Sequence, residues 1–326
     1  MNQRIKSLVL MTLLLAMGTV AVGQESLKDI VEQQGLAWMV GQWKATMDDG
    51  QEMLLTYRWA VNGYAVVSNF EMGNSLSQGM IYFDSDKQQV RQLTIDSRGQ
   101  AVEATWDVQN GKAISKTKMI DEYGQITDTG FVFSRVDATT INVAVHSLQD
   151  GELSDNSWFD IDFKKQKKMT SVRETAGPST AQESFKDIVE QQGFGWMLGN
   201  FKAIMDDGQE MLLTYRWAVR GQAIISSFKM GNMSSLGMIH LDMDAEQAKQ
   251  ISVDSRGQAT KATWEIQGDE AISKTTMTDE YGQVTNMGIV HSKVDDTTIN
   301  IALYGLEDGK LSDDSWFDIN FKKQKK

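Results

Sequence analysis

The sequence predicts an all-β protein: two tandem up-and-down antiparallel β-barrels of about ten strands, each preceded by a short α-helix. Three observations lead there. The stretch Trp38-Met-Val-Gly-Gln-Trp-Lys-Ala-Thr-Met-Asp-Asp-Gly-Gln-Glu-Met-Leu-Leu-Thr-Tyr-Arg-Trp59 returns almost unaltered as Trp196 to Trp217. Within it, apolar residues alternate with period two across a tight Asp-Asp-Gly turn. Turn-forming residues then recur at near-regular spacing through the rest of each copy.

The repetition covers most of the chain. Glu25 to Lys168 aligns with Glu183 to Lys326 without a gap, residue 25 facing residue 183, with identity at roughly two-thirds of positions. Solenoid repeats are far shorter, and a unit of this length is an ordinary domain. The reading is a tandem duplication, with one barrel over residues 24–168 and a second over 183–326. Between them, residues 169–182 hold Gly177 and Pro178, the only proline, among Ser and Thr, as a flexible linker does.

The amino terminus carries Arg4 and Lys6, an apolar run from Leu8 to Met17, and the small residues Ala21-Val22-Gly23. That is the pattern of a secretory signal peptide over residues 1–23, cleaved before Gln24, and it places the mature protein in the periplasm or outside the cell. The run is short of the roughly 20 apolar residues that cross a bilayer, so no membrane span is expected. With no cysteine in the chain, disulfides and thiolate metal sites are excluded and stability must come from buried area. A net charge of −12 repels phosphate backbones, so nucleic acid is not an expected partner. The lysine clusters at 164, 165, 167, 168 and at 322, 323, 325, 326 read as frayed, solvated ends of the repeats.

Each copy opens with a helix. In Ser26-Leu-Lys-Asp-Ile-Val-Glu-Gln-Gln-Gly35, and again in Ser184 to Gly193, a serine cap and a terminal glycine bracket two to three turns. The period then changes to two. Met53, Leu55, Tyr57 and Trp59 alternate with Glu52, Leu54, Thr56 and Arg58; Val66, Phe70 and Met72 alternate with Val67, Asn69 and Glu71; Phe159, Ile161 and Phe163 alternate with Trp158, Asp160 and Asp162. Nine turns punctuate the runs, at Asp48-Asp-Gly50, Asn62-Gly63, Gly73-Asn74, Asp84-Ser-Asp86, Ser97-Arg-Gly99, Asn110-Gly111, Tyr123-Gly124, Val136-Asp137 and Asp150-Gly151. Ten strands in a meander with one apolar face remove their edges by closing. Charge reversal between the copies, Glu71 to Lys229 and Glu103 to Lys261, places those positions outside.

A Gly-x-Trp on the first strand after a short helix, here Gly41-Gln42-Trp43, resembles the opening of lipocalins and fatty-acid-binding proteins, the calycin group, where the tryptophan closes one end of the barrel. Copy two reads Gly199-Asn200-Phe201. With Arg58-Trp59, Asp96-Ser-Arg-Gly99 and Asp150-Gly151, the pattern is similar to a secreted bacterial lipocalin-like domain of unknown function. The resemblance implies a closed barrel, but the lipocalins' Thr-Asp-Tyr triplet and cysteine pair are absent, so it does not carry a lipid ligand over to this chain. The helix pair that forms a fatty-acid portal has no room here, because Asp48-Asp-Gly50 joins the first two strands directly.

Chemistry is sparse. The three histidines are not shared: His146 aligns with Tyr304, His240 with Tyr82 and His291 with Phe133. No histidine can therefore do essential work in both barrels, which disfavours triads, zinc sites and a haem with a proximal histidine. Turn carboxylates such as Asp48/Asp49 and Asp121/Glu122 normally bond their own backbone, and Asp84-x-Asp86 lacks most of a calcium loop. Arg58 and Arg216 either hold an anion at the barrel mouth with Arg98 or Arg256, or lie outward over apolar surface. The 19 methionines are dispersed as core filler rather than as copper ligands.

The candidate ligand-binding residues are the aromatic and small polar side chains of the inner face: Trp43, Tyr57, Trp59, Ser68, Phe70 and Trp106, with Phe201, Tyr215, Trp217, Ser226, Phe228 and Trp264 in the second copy. The same residues could instead simply fill a small barrel. The functional expectation is an exported, non-enzymatic protein with no cofactor, binding a small apolar or amphipathic molecule. The alternative is a structural or interaction module with filled barrels.

Overall fold

A computed structural model describes residues 25–120, 124–167, 184–278 and 283–325. The expected signal peptide, the linker, the Asp121/Glu122 pair, Tyr123, Lys168 and Lys326 lie outside the described residues. Each barrel follows a short helix, α1 (Leu27–Gln33) or α2 (Phe185–Gln191). Barrel 1 comprises β1 (Gly41–Thr46), β2 (Glu52–Ala60), β3 (Ala65–Met72), β4 (Ser75–Asp84), β5 (Gln89–Asp96), β6 (Ala101–Gln109), β7 (Lys112–Ile120), β8 (Ile126–Arg135), β9 (Thr140–Gln149), β10 (Glu152–Leu153) and β11 (Phe159–Lys165). Barrel 2 comprises β12 (Gly199–Ile204), β13 (Glu210–Ala218), β14 (Ala223–Met230), β15 (Met233–Asp242), β16 (Gln247–Asp254), β17 (Ala259–Gln267), β18 (Glu270–Thr278), β19 (Val284–Lys293), β20 (Thr298–Glu307) and β21 (Lys310–Lys323).

All pairings are antiparallel, between sequence neighbours except for β9 with β11 and the closing pairs, and both sheets close. β1 pairs with β11, with Trp43 opposite Lys165, and β12 pairs with β21, with Phe201 opposite Lys323. Of the lysines expected to fray, Lys164, Lys165, Lys322 and Lys323 are therefore closing-strand residues. Lys165 Nζ lies 5.1 Å from the Trp43 ring centre and Lys323 Nζ 5.6 Å from that of Phe201, a cation–π contact sealing each seam. Gly41 and Gly199 sit beside it at φ 146° and 148°, and a Cβ there would come within 3.2 and 2.7 Å of the lysine Cε. That explains the glycine of the Gly-x-Trp motif.

The last turn leads elsewhere than alternation implies. Asp150-Gly151 joins β9 to the two-residue β10, and the closing strand starts only at Phe159. β10 folds over the outside of the barrel, where Leu153 covers Ile114, Val132 and Ala144. It occupies the space a Cβ on Gly130 would need, at 2.2 Å, and Leu311 does the same over Gly288. In barrel 2 this ribbon runs unbroken into the closing strand as β21, with register shifts between Leu303 and Leu306.

Each helix stoppers one end of its barrel. Ser26 Oγ accepts from Asp29 N at 3.1 Å while the Asp29 carboxylate accepts from Ser26 N, a capping box that the second copy repeats with Ser184 and Asp187. Hydrogen bonds from Ser26 hold the exposed Asp29 carboxyl below its ordinary range. The stopper packs Leu27 onto the core of barrel 1, and Phe185 edge-on to Trp217 at 6.0 Å in barrel 2. Trp43, 1% exposed, closes the same end and donates Nε1–H to Met39 O at 2.9 Å.

The barrels meet through matching faces. The outward side chains Met80, Leu93 and Ile95 pack with Met238, Ile251 and Val253, their counterparts in barrel 2. β4 lies against β17 as β15 lies against β6, so the contact is close to two-fold symmetric. Arg220 donates to Asn74 O at 2.7 Å across it, and Lys261 approaches Glu103 at 3.9 Å. Both Glu103 and its partner Arg91 are on the outer face.

Candidate functional site

β5 turns Gln92 and Thr94 inward and Leu93 and Ile95 outward, and β16 does the same with Gln250, Ser252, Ile251 and Val253, the reverse of the simplest barrel. Inside barrel 1, Trp106 donates to Gln92 Oε1 at 2.9 Å, and Gln92 Nε2 donates to Thr94 Oγ1 at 2.7 Å and Ser68 Oγ at 3.1 Å. Barrel 2 repeats the relay: Trp264 to Gln250 at 2.8 Å, then Gln250 to Ser252 at 2.6 Å and Ser226 at 3.4 Å. The relay needs a bare backbone beneath it. A Cβ on Gly237 would stand 2.4 Å from Ser226 Oγ and 2.6 Å from Ser252 Oγ, and Gly79 is hemmed in alike.

Above this shared floor the barrels differ at several positions, with Phe131 and Phe133 of barrel 1 replaced by Ile289 and His291 in barrel 2. In barrel 1, Phe133 stacks on Trp106 with ring centres 5.4 Å apart and meets Tyr57 edge-on at 6.2 Å. In barrel 2 the matching residue is His291, 5.0 Å from the Trp264 ring and hydrogen-bonded through Nε2 to the Tyr215 hydroxyl at 2.8 Å. His291 is 3% exposed, and its Nδ1 has no partner at hydrogen-bond geometry. Burial pushes its pKa down to about 4, with the nearby backbone of Ile289 and Ala271 opposing the shift. Burial also pushes the Tyr215 hydroxyl up, beyond its ordinary range. At neutral pH both groups are uncharged.

A cavity of about 400 Å³ opens above the pair. Its wall holds Tyr215, Phe228, Trp264, Ile289, Ile301 and Phe317, and its floor Ser226, Gln250, Ser252 and Ser273. Six methionines, Met205, Met211, Met230, Met233, Met277 and Met287, line it toward the end opposite α2. Two of these, Met233 and Met287, stand where barrel 1 has Ser75 and Thr129. The β16–β17 turn forms part of this rim. Asp254 accepts from the backbone of Arg256 and Gln258 and grips the Arg256 guanidinium at 2.9 and 2.7 Å. A cavity of about 90 Å³ lies in barrel 1 beneath α1, lined by Leu27, Tyr57, Trp59 and Trp106 among others.

The twelve sequence-derived candidates divide by position. Tyr215, Ser226, Phe228 and Trp264 line the barrel 2 cavity. Their counterparts Tyr57, Ser68, Phe70 and Trp106 belong to the packed interior of barrel 1 or its polar relay. Trp43, Trp59, Phe201 and Trp217 sit by the helix stoppers: Trp59 in the small cavity under α1, Trp217 against Phe185, Trp43 and Phe201 in the cores. Sequence reasoning missed His291, Gln250, Ser252 and the mouth methionines. Their signal was the replacement of Phe133 by a histidine inside an otherwise apolar strand pattern.

Other charged groups lie outside the barrels. Arg58 and Arg216 line a space of about 190 Å³ between the barrels, so they are outward side chains. A wider cleft of about 780 Å³ at the same junction holds Glu103, His240, Asp242, Lys249 and Lys261. Its charges are largely paired among themselves, Lys249 with Asp242 at 2.5 Å and Lys261 with Glu103 at 3.9 Å. Asp84 accepts from Lys87 N at 3.1 Å within its own turn. Among the described residues no three acidic or histidine side chains are grouped to hold a metal, and no helix is long and apolar enough to cross a membrane.

No family model matches the chain, and no curated protein matches it either. Among solved structures it is similar to a protein with unknown function from the DUF3598 family of Nostoc punctiforme PCC 73102. The match has 10% identity over 88% of this chain and 97% of that one, with a TM-score of 0.17. At that score the two chains do not superpose as wholes, and the site stands on its own geometry.

Proposed function

We propose that this is an exported, non-enzymatic, lipocalin-like protein, arisen by tandem duplication, in which barrel 2 holds one small apolar or amphipathic molecule. The observation that carries the reading is the cavity of about 400 Å³, apolar in its walls and polar only at a small floor. Thioether side chains at the mouth suit entry of varied apolar shapes, because methionine repacks at low cost. The titratable groups of the interior, His291 and Tyr215, are held uncharged. General acid–base work favours pKa values near the working pH, so that pairing suits hydrogen bonding to a ligand better than proton transfer.

Barrel 1 takes the alternative role. Its Phe133, Trp106 and Tyr57 occupy the matching space, which fits a filled companion that braces barrel 2. Native mass spectrometry of the protein purified gently from its host tests the whole reading. One organic adduct per chain is expected, on a chain beginning at Gln24. A bare mass with no apolar-dye binding would move the function to the outer surfaces.

A further inference from the structure

We propose that the barrel 2 cavity selects a neutral amphipathic molecule, with a hydroxyl or carbonyl head and an apolar tail, and rejects the corresponding carboxylate. This rests on the ligand-binding reading of barrel 2 and names the ligand's chemical class. Asp254 and Arg256 are the only charged side chains among the described lining residues. They are spent on each other: Arg256 Nε and a terminal nitrogen both bond Asp254, and that nitrogen also bonds Gln258 at 3.1 Å. A carboxylate entering there meets a cation already neutralised by Asp254 and faces the Asp254 charge.

Deeper in, every polar group is uncharged. The Tyr215–His291 pair, the Gln250 relay to Ser226 and Ser252, and the 3% exposed Ser273 present hydroxyl and amide groups. The Tyr215 oxygen and the serine hydroxyls keep acceptor capacity after their observed bonds, because each hydroxyl carries two lone pairs. Such a floor matches an alcohol or carbonyl, whereas an unpaired buried carboxylate loses its hydration without a compensating charge.

The test uses the full chain at pH 7.5 with N-phenyl-1-naphthylamine as a neutral reporter, displaced by 1-dodecanol or by dodecanoate. The alcohol is expected to compete at least tenfold more tightly than the carboxylate. His291→Phe places in barrel 2 the residue that barrel 1 already accommodates, and is expected to weaken dodecanol by tenfold or more. Dodecanoate binding as tightly as dodecanol would overturn the inference while leaving barrel 2 a binding site. So would a bound dye that the alcohol cannot displace, or unchanged dodecanol affinity in His291→Phe. If neither dye nor alcohol binds, the ligand-binding reading falls and this inference with it.

Discussion

His291 shows how one side chain changes what a barrel can do. Where Phe133 fills barrel 1 by stacking on Trp106, the smaller, polar imidazole leaves room above it and bonds Tyr215. This carries a cost at acid pH. The folded pKa, about 4, lies below the unfolded value near 6.5, so between these pH values the unfolded chain binds a proton that the folded chain refuses. Stability is therefore full above pH about 6.5 and falls as pH drops toward about 4, by an order of a few kcal/mol per histidine. His240, buried at the barrel junction and also lowered to about 4 by burial, adds to the same loss, with Asp242 opposing the shift. Urea midpoints measured across this window should fall with pH, and His291→Phe should flatten the slope. A pH-independent midpoint in the wild-type chain would show that neither histidine is buried uncharged. At Gly237 an added methyl collides with Ser226 and Ser252, so Gly237→Ala is expected to cost roughly 1–3 kcal/mol by overpacking, measured by the same midpoints.

At the scale of elements, the helix, the turns and the strand phase of β2, β3 and β11 were legible in the sequence, because each has a local cause. Ser26 and Gly35 bracket α1, and inward Tyr57 and Phe163 stand opposite outward Arg58 and Asp162. The phase of β5 was not legible. Alternation reports a period of two but not which face is covered, and Leu93 and Ile95 are buried by the other barrel rather than by their own. Gln92 and Gln250 thus escaped notice as interior groups. His291 was masked by a different cause: a residue present in one copy reads as packing when the copies are compared. The resemblance placed Trp43 at a closed end, whereas Trp59 and Trp217 were recognised as interior but not as lying by the helices. Trp43→Ala removes a ring that is 1% exposed and is expected to destabilise barrel 1 by about 3–5 kcal/mol. A loss below about 1 kcal/mol in chemical denaturation would show that the end is closed by something else.

On the scale of the molecule, two barrels that share a buried apolar face should unfold together. Met80 and Met238 stand at equivalent places in that face, each 1% exposed. Met238→Glu would bury a charge without a partner there, at a cost of several kcal/mol, and is expected to split one calorimetric transition into two. A single undisturbed transition would mean that the face contributes little to cohesion. The same pairing explains how the chain carries unequal interiors. Packing between matched outer faces stabilises both barrels, which leaves barrel 2 free to keep a cavity that its own side chains do not fill.

Methionine methyl groups offer the most direct view of that cavity. In a chain labelled with methyl-13C methionine, titration with 1-dodecanol should shift Met205, Met211, Met230, Met233, Met277 and Met287 together and saturably, at one molecule per chain. Met47, Met53, Met72 and Met119, the counterparts of four of them in barrel 1, should stay in place. Equal shifts in both sets would give the two barrels the same function, and no shift in either would remove the cavity of barrel 2 as a binding site.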